Sequence, residues 1–230
     1  MGLCAKPAKP VDARMLDAHS VLVRTIDSAD SFFDAFKGVR KVRGATGTPT
    51  DHEQDLLRAA LLFAAAGLDA MVKQLIRDAL GDVQRSDMGA QQQFAEYVQQ
   101  RLSRTAPVDV KMLVQALMAD QPREHMRDEL IRELTANSLQ SKDQVLRVAA
   151  YFAIGAQEIT KELTKLKTVF DARNQIAHEM DILFGQRNRG RRSRAHDTMK
   201  DYTAFLLNVC CAFYGAVHAK LQNPTTTVAI

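Results

Sequence analysis

The segment from Thr50 to Leu80 limits the fold of this chain more than any other. Glu53 stands three residues after Thr50, which is the capping-box pattern that opens a helix, and Gly81 follows Leu80, where a helix commonly ends. Apolar side chains cover more than half of the circumference of the helix between these points. They are Leu56, Leu57, Ala60, Leu61, Phe63, Ala64, Leu68, Met71, Val72, Leu75 and Ile76. The sequence therefore predicts a central, mostly buried helix with other helices around it.

Helix breakers are rare in the rest of the chain, since its 230 residues include only 11 Gly and 6 Pro. Apolar residues recur at helical spacing in most segments, and no alternating pattern typical of strands is found. The predicted fold class is all-α, with a single helical domain over residues 11–222 and flexible tails at 1–10 and 223–230. Residues 82–138 are predicted to form a helical insertion. The other predicted helices cover about 11–37, 141–154, 158–185 and 194–222, and those of the insertion cover 94–102, 108–119 and 123–136.

A second segment carries most of the polar chemistry. Residues 170–184 read F-D-A-R-N-Q-I-A-H-E-M-D-I-L-F, which puts Arg173, Asn174 and His178 on one predicted helix that ends at Gly185. This segment resembles the R-x4-H signature of HEPN domains, an all-helical family in which many members are metal-independent ribonucleases. The resemblance is strongest over residues 138–202 and implies a HEPN-like helical bundle with two-fold dimers.

The spacing of an arginine and a histidine does not identify the site by itself, because two other pairs have the same spacing. These are Arg14 with His19, and Arg191 with His196. The surroundings favour Arg173 and His178: a polar residue follows the arginine, two apolar residues precede the histidine, and a basic loop and a long helix come next, as in the family. Residues 56–70 also resemble the early core helix of the stand-alone branch of that family labelled RiboL-PSP-HEPN.

The helical spacing limits how the three residues act together. At about 100° per residue, Arg173 and His178 lie about 140° apart, whereas Asn174 and His178 share a face. Asn174 is therefore predicted to orient the imidazole. Three arrangements would bring Arg173 into the site: its long side chain reaches round, the helix kinks or begins near Asp171, or a second subunit supplies another copy of the motif.

The chemistry of RNA cleavage without a metal favours the second subunit. A base must take the proton of the ribose 2′-OH, an acid must protonate the leaving 5′-oxygen, and positive charge must stabilise the phosphorane. Histidine suits both proton transfers, and arginine binds phosphoryl oxygens through its planar fork. Because one motif supplies one histidine, a homodimer is expected, with His178 as general acid/base, Arg173 stabilising the transition state and Asn174 orienting both. The resemblance likewise implies a site shared across a dimer.

The arginine-rich loop, residues 185–194, follows this helix directly. Its location favours a surface that binds RNA phosphates, since each arginine that neutralises a phosphate adds salt-dependent affinity. A solvated loop with no ligand is the alternative. The predicted RNA-binding residues are Arg187, Arg189, Arg191, Arg192 and Arg194.

No metal or cofactor is predicted, because the chain has no H-x3-H, H-E-x-x-H or glycine-rich phosphate loop. No disulfide framework is expected from the three cysteines either, since Cys210 and Cys211 are neighbours on a helix that point to different faces and Cys4 lies in the predicted tail. A reducing compartment follows. With no secretory signal and no uninterrupted apolar run near the ~18 residues that span a bilayer, the expected location is the cytoplasm, away from membranes.

The expected function is that of a metal-independent endoribonuclease, a toxin or antiviral-defence effector in a microbial cell. RNA is the expected substrate, and an antitoxin or sensor protein is a possible further partner. One departure from the family concerns regulation. HEPN toxins that pair with a nucleotidyltransferase antitoxin carry an adenylylated tyrosine two residues after the histidine, and Met180 stands there in this chain. Two alternatives stay open: a non-catalytic HEPN module that binds RNA, a nucleotide or a partner protein, and an ordinary helical-bundle interaction protein.

Overall fold

The computed structural model describes residues 2–103, 114–116 and 118–223, and these residues are all-helical, as predicted. They form no β-strand, and the one isolated antiparallel bridge among them joins Ile182 to Arg191. A 3-10 turn, Ala13–Met15, precedes the first α-helix. The helices are α1 (Leu16–Val42), α2 (Asp51–Asp78), α3 (Leu80–Ser86), α4 (Met88–Ser103), α5 (Pro122–Ala136), α6 (Lys142–Tyr151), α7 (Ala156–Ile159), α8 (Leu163–Glu179) and α9 (His196–Gln222).

Helix α2 lies at the centre of the bundle and packs along α1 and α9. Its first turn forms the predicted capping box, in which Glu53 N donates to Thr50 Oγ1 at 3.3 Å and Thr50 N donates to Glu53 Oε2 at 2.8 Å. Nearly all of its predicted apolar face is buried, which confirms the prediction of a central helix. The prediction is wrong for Phe63, which is 51% exposed. Its ring packs against that of Phe32 on α1, with centroids 5.0 Å apart.

Helices α1 and α2 approach each other closely at Gly67. A Cβ atom on Gly67 would lie only 2.0 Å from Thr25 Oγ1 and 2.6 Å from Thr25 Cβ, so the α1 backbone would have to move to admit it. The Thr25 hydroxyl is itself held on α1, where it donates to Val21 O at 2.8 Å. The absence of a side chain at Gly67 thus sets how closely the two long helices pack.

The predicted insertion, residues 82–138, contains α3, α4 and α5, and α4 and α5 confirm two of its three predicted helices. Arg127 of α5 connects them. Its Nε donates to Gln84 Oε1 of α3 at 3.2 Å, and its guanidinium lies over the Phe94 ring of α4, 5.8 Å from the centroid. The third predicted helix, at 108–119, lies largely outside the described residues.

The N-terminal segment, residues 2–10, contacts the bundle although the sequence predicts a flexible tail there. Leu3 N donates to Asp30 Oδ1 at 2.8 Å, Lys6 forms an ion pair with Asp27, and a ring nitrogen of His19 lies 3.1 Å from the carbonyl oxygen of Pro7. The prediction of a free tail did not anticipate these contacts. Of the other predicted tail, residues 223–230, only Asn223 lies within the described residues.

Two helices, α2 and α9, are long and apolar enough to cross a membrane by length and composition. Polar residues interrupt the apolar sequence of both helices, so neither contains an uninterrupted apolar run of the length expected for a span. Of the 18-residue apolar stretch of α2, 56% is buried inside the bundle. The core helix of a soluble protein meets the same criteria of length and composition. The two helices are therefore weak evidence for a membrane, and the expectation of a protein away from membranes stays a prediction.

Candidate functional site

Helix α8 carries all three residues of the R-x4-H segment. One face of α8 is buried through Leu166, Val169, Phe170 and Ile176, and Arg173, Asn174 and His178 lie outside that buried set. The helix begins at Leu163, so Arg173 stands in its interior. Of the three predicted arrangements, a helix that starts near Asp171 is thereby excluded.

Helix α8 ends at Glu179, and the prediction that it continues to Gly185 is wrong. Met180 and Asp181 both adopt left-handed backbone conformations, with φ of 51° and 59°. Asp181 N donates back to Gln175 O at 3.0 Å, which closes the helix in a wide turn. Tertiary contacts account for this early end of the helix. The turn directs the Asp181 side chain into the bundle, where two arginines bind it.

The carboxylate of Asp181 is fully buried between Arg58 of α2 and Arg194 of the loop. Arg58 Nε and Arg194 Nε donate to its Oδ2 at 2.8 and 2.9 Å, and Arg194 Nη2 binds Oδ1. Burial by itself would raise the pKa of Asp181, but the hydrogen bonds from the two arginines outweigh it and hold the pKa below its ordinary value. This arrangement fixes the loop to the central helix.

The arginine-rich loop folds back on itself as a short hairpin. Leu183 N donates to Gly190 O at 2.8 Å, and Arg192 N donates to Asp181 O at 2.8 Å. Three of the five predicted RNA-binding arginines are held by carboxylates of the bundle. They are Arg191, with Asp55 at 2.8 Å, Arg192, with Glu179 at 2.9 Å, and Arg194, with Asp181.

The other two, Arg187 and Arg189, lie at the turn of this hairpin. Both are exposed, and neither forms an ion pair with any residue that the structure describes. Phe184, beside them on the chain, is 65% exposed. The sequence predicts one basic surface of five equivalent arginines, whereas the structure divides them into three that hold the loop and two whose charges face solvent.

Arg173 is hydrogen-bonded to Asn174 rather than to an acidic residue. Its Nη1 donates to Asn174 Oδ1 at 2.9 Å, and Asn174 Nδ2 donates to the carbonyl oxygen of Gln140, before α6, at 3.2 Å. Arg173 is half-buried, its Nε is buried without a hydrogen-bond partner, and no carboxylate among residues 2–103, 114–116 and 118–223 pairs with it. Asn174 thus positions Arg173 in this chain, a contact that the helical spacing did not predict.

His178 lies in the last turn of α8 and is exposed. Its imidazole makes no hydrogen bond within the described part of the chain, to Asn174 or to any other residue. Arg173 and His178 remain on one continuous helix, so the angle of about 140° between them persists. A single subunit therefore presents the two side chains in different directions.

The other two R-x4-H pairs have different surroundings, because their side chains are used in the fold. Arg14 binds Asp82 at 2.8 Å and also Asp12, and His19 contacts Pro7. Arg191 binds Asp55, and the His196 ring stacks on Phe36 with centroids 5.1 Å apart. Only the α8 pair keeps both functional groups free of carboxylates in the described residues.

Sequence reasoning missed Arg58 and Asp55 of α2, which hold the loop, and Gln140, which holds Asn174. One feature of the sequence indicates the role of Arg58. It is a charged residue within the apolar stretch of the central helix, and such a residue needs a partner when it is buried. Nothing in the sequence near Arg58 identifies Asp181, 123 positions away, as that partner. No group of three or more His, Cys, Asp or Glu able to hold a metal is found among the residues described.

No known protein family, curated protein or solved structure matches this chain. The resemblance to HEPN domains therefore rests on the sequence alone, on residues 170–184 and 56–70.

Proposed function

We propose that this protein is a metal-independent endoribonuclease of the HEPN type, a toxin or antiviral-defence effector of the cytoplasm. In this proposal His178 transfers protons to and from the ribose 2′-OH and the leaving 5′-oxygen, and Arg173 stabilises the negative charge of the phosphorane. Asn174 positions Arg173 through the 2.9 Å hydrogen bond between them. Arg187 and Arg189 bind phosphates of the RNA backbone.

The observation that carries the proposal is the difference between the three R-x4-H pairs. A half-buried arginine without a carboxylate partner is costly for the fold unless another anion compensates it, and an RNA phosphate is such an anion. Arg173 is in that state within the described residues, whereas Arg14 and Arg191 are neutralised by Asp82 and Asp55. The exposed imidazole of His178 on the same helix supplies the group that proton transfer requires.

A homodimer belongs to the proposal, because one chain supplies a single His178 and directs it away from Arg173. Two copies of α8 related by a two-fold axis would supply two histidines and two arginines to one phosphate. Met180 and Phe184, 62% and 65% exposed, flank this end of α8 with apolar surface that a second copy would bury. Cleavage per unit protein should then fall on dilution below the dissociation constant of the dimer.

The test measures cleavage of a mixed RNA pool in EDTA by the wild type and by His178→Ala and Arg173→Ala. General acid–base catalysis contributes about 10²–10⁴-fold, so the His178→Ala rate should fall by that order. The matched controls are His52→Ala and Arg24→Ala, which remove an exposed histidine and an exposed arginine from α2 and α1. Equal rates in variants and controls, or no cleavage by the wild type at any concentration, would reject the proposal.

A non-catalytic module that binds RNA is the second candidate, and the exposed Arg187 and Arg189 favour it equally. It predicts a salt-dependent gel shift of RNA without cleavage products. It also predicts that His178→Ala binds RNA as tightly as the wild type, whereas Arg187→Ala binds more weakly.

A further inference from the structure

Two cysteines from opposite ends of the chain meet on the surface of the bundle. Cys4 Sγ of the N-terminal segment lies 3.5 Å from Cys211 Sγ of α9, although 207 positions separate the residues along the chain. Both residues are partly buried, and both are free thiols in the structure. The sequence-based expectation placed Cys4 in a free tail and therefore did not bring the two together.

The neighbouring contacts hold Cys4 against α9. Leu3 N donates to Asp30 Oδ1 at 2.8 Å, which fixes the backbone next to the cysteine. The Cys4 thiol donates to Asn208 Oδ1 at 3.3 Å. Asn208 and Cys211 are three residues apart and so share the face of α9 that this segment covers.

We propose that Cys4 and Cys211 form a reversible intramolecular disulfide that fastens the N-terminal segment to α9 when a small-molecule disulfide such as oxidised glutathione is present. The sulfur atoms need to approach only from 3.5 Å to the bonding distance of about 2.0 Å. The oxidation is independent of the ribonuclease proposal, since it uses none of the residues of that site.

The reaction proceeds by two thiol–disulfide exchanges. The Cys4 thiolate attacks one sulfur of oxidised glutathione, and a Cys4–glutathione mixed disulfide forms while one glutathione thiolate leaves. The Cys211 thiolate then attacks Cys4 Sγ, and the second glutathione leaves. Two protein thiols and one oxidised glutathione give one protein disulfide and two reduced glutathiones, with both protein protons passing to the released thiolates.

The surroundings of the two thiols determine which cysteine takes part in the first exchange. Burial, followed by the hydrogen bond with Cys4, raises the pKa of Cys211 to about 12, so its thiolate is scarce at neutral pH. Cys4 lies on the N-terminal segment that covers α9, so the proposal assigns the first exchange to Cys4. Once the mixed disulfide has formed, the adjacent Cys211 reacts within the folded chain, where proximity replaces collision. The rate of ring closure should therefore rise with pH.

Cys210 provides a control within the same helix. It is fully buried in the core one position before Cys211, and burial raises its pKa well above the ordinary value. A buried neutral thiol is inert to exchange, so Cys210 should stay reduced in the folded protein.

The test treats the folded protein with oxidised glutathione, blocks the remaining thiols after denaturation, and maps the disulfides by mass spectrometry without reduction. Of the three cysteines, a single reactive thiol should remain, on Cys210, with Cys4 and Cys211 linked within one chain. Cys210→Ser should behave as the wild type. Cys211→Ser should stop at a stable glutathione adduct on Cys4, and Cys4→Ser should gain neither adduct nor disulfide.

A second measurement does not depend on any variant. Amide hydrogen exchange of residues 2–10 in the wild type should slow on oxidation and return to its original rate after reduction. Three thiols that survive oxidation, a link through Cys210, or disulfides only between chains would overturn the proposal, as would unchanged exchange of residues 2–10 in the linked form.

Discussion

Two sets of arginines around the C-terminal end of α8 differ in what compensates their charge. Arg58, Arg191, Arg192 and Arg194 each bind at least one carboxylate, and the buried Asp181 is shared by two of them. Arg173, Arg187 and Arg189 bind none within the described chain. Five of these seven arginines come from one short loop, so sequence location does not separate the sets.

The difference teaches that a cluster of arginines in a sequence is not by itself a binding surface. A paired arginine holds the loop in place and has little charge left for a ligand, because its carboxylate already neutralises it. An arginine without a carboxylate leaves its full charge to a ligand phosphate. The paired set thus fixes the loop to α2, and the unpaired set leaves its charge available to a ligand phosphate.

The largest effect is expected from removing the carboxylate that the paired set shares. Asp181→Ala leaves the buried Arg58 with the partly exposed Asp55 and leaves Arg194 without a carboxylate partner among the described residues. The loss of one partner of a buried ion pair costs about 3–5 kcal/mol. The free energy of unfolding from urea titration should fall by that amount. Asp143→Ala, which removes a carboxylate 86% exposed, should change it by less than about 0.5 kcal/mol. Similar values for both variants would break the distinction between the two sets.

The pH dependence of stability should carry the same signature. Because the folded-state pKa of Asp181 lies below its unfolded value, the carboxylate stabilises the fold above the ordinary carboxyl range near ~4, and that contribution is lost as the pH falls through the lowered pKa. The stability difference between the wild type and Asp181→Asn should therefore be constant near neutrality and shrink in acid. A difference that grows on acidification would contradict the sign.

Turning an unpaired arginine into a paired one tests the comparison directly. Asn174→Asp would put a carboxylate where the amide now accepts the hydrogen bond from Arg173. Cleavage and RNA affinity should fall severalfold because the charge of Arg173 is neutralised, whereas the free energy of unfolding should change by less than about 1.5 kcal/mol. The control is Asn174→Ala, which removes the hydrogen bond without adding charge. Asn174→Asp variants that cleave and bind RNA as the wild type does would show that Arg173 has no role with phosphate.

The smallest effect on the fold, and a clear one on RNA, is expected at the turn of the hairpin. Arg187→Ala with Arg189→Ala should leave the unfolding free energy within about 0.5 kcal/mol. RNA affinity should weaken, and the slope of its logarithm against that of salt concentration should fall by about 0.7 for each phosphate of single-stranded RNA that an arginine no longer neutralises. Arg24→Ala, an exposed arginine of α1, should leave the slope unchanged. An equal fall of the slope in Arg24→Ala would show that the loss of RNA affinity reflects net charge alone and not contacts of Arg187 and Arg189.

Much of the helical framework could be predicted from the sequence because its signals are local. The capping box at Thr50 and Glu53 and the apolar period that follows act within a few residues, and α2 begins and ends within two residues of the predicted bounds. The predicted end of α8 was wrong for the opposite reason. Apolar residues continue past Glu179, but the backbone turns at Met180 because Asp181 binds Arg58, 123 positions away along the chain.

The sequence by itself determined the all-helical class, the central place of α2 and the position of Arg173, Asn174 and His178 on one helix. Only the tertiary structure decided which arginines are neutralised, which histidines pack in the fold, and that Cys4 meets Cys211. Periodicity and capping depend on neighbours within a turn or two of helix, whereas an ion pair or a thiol contact depends on side chains that only the packing of distant helices brings together.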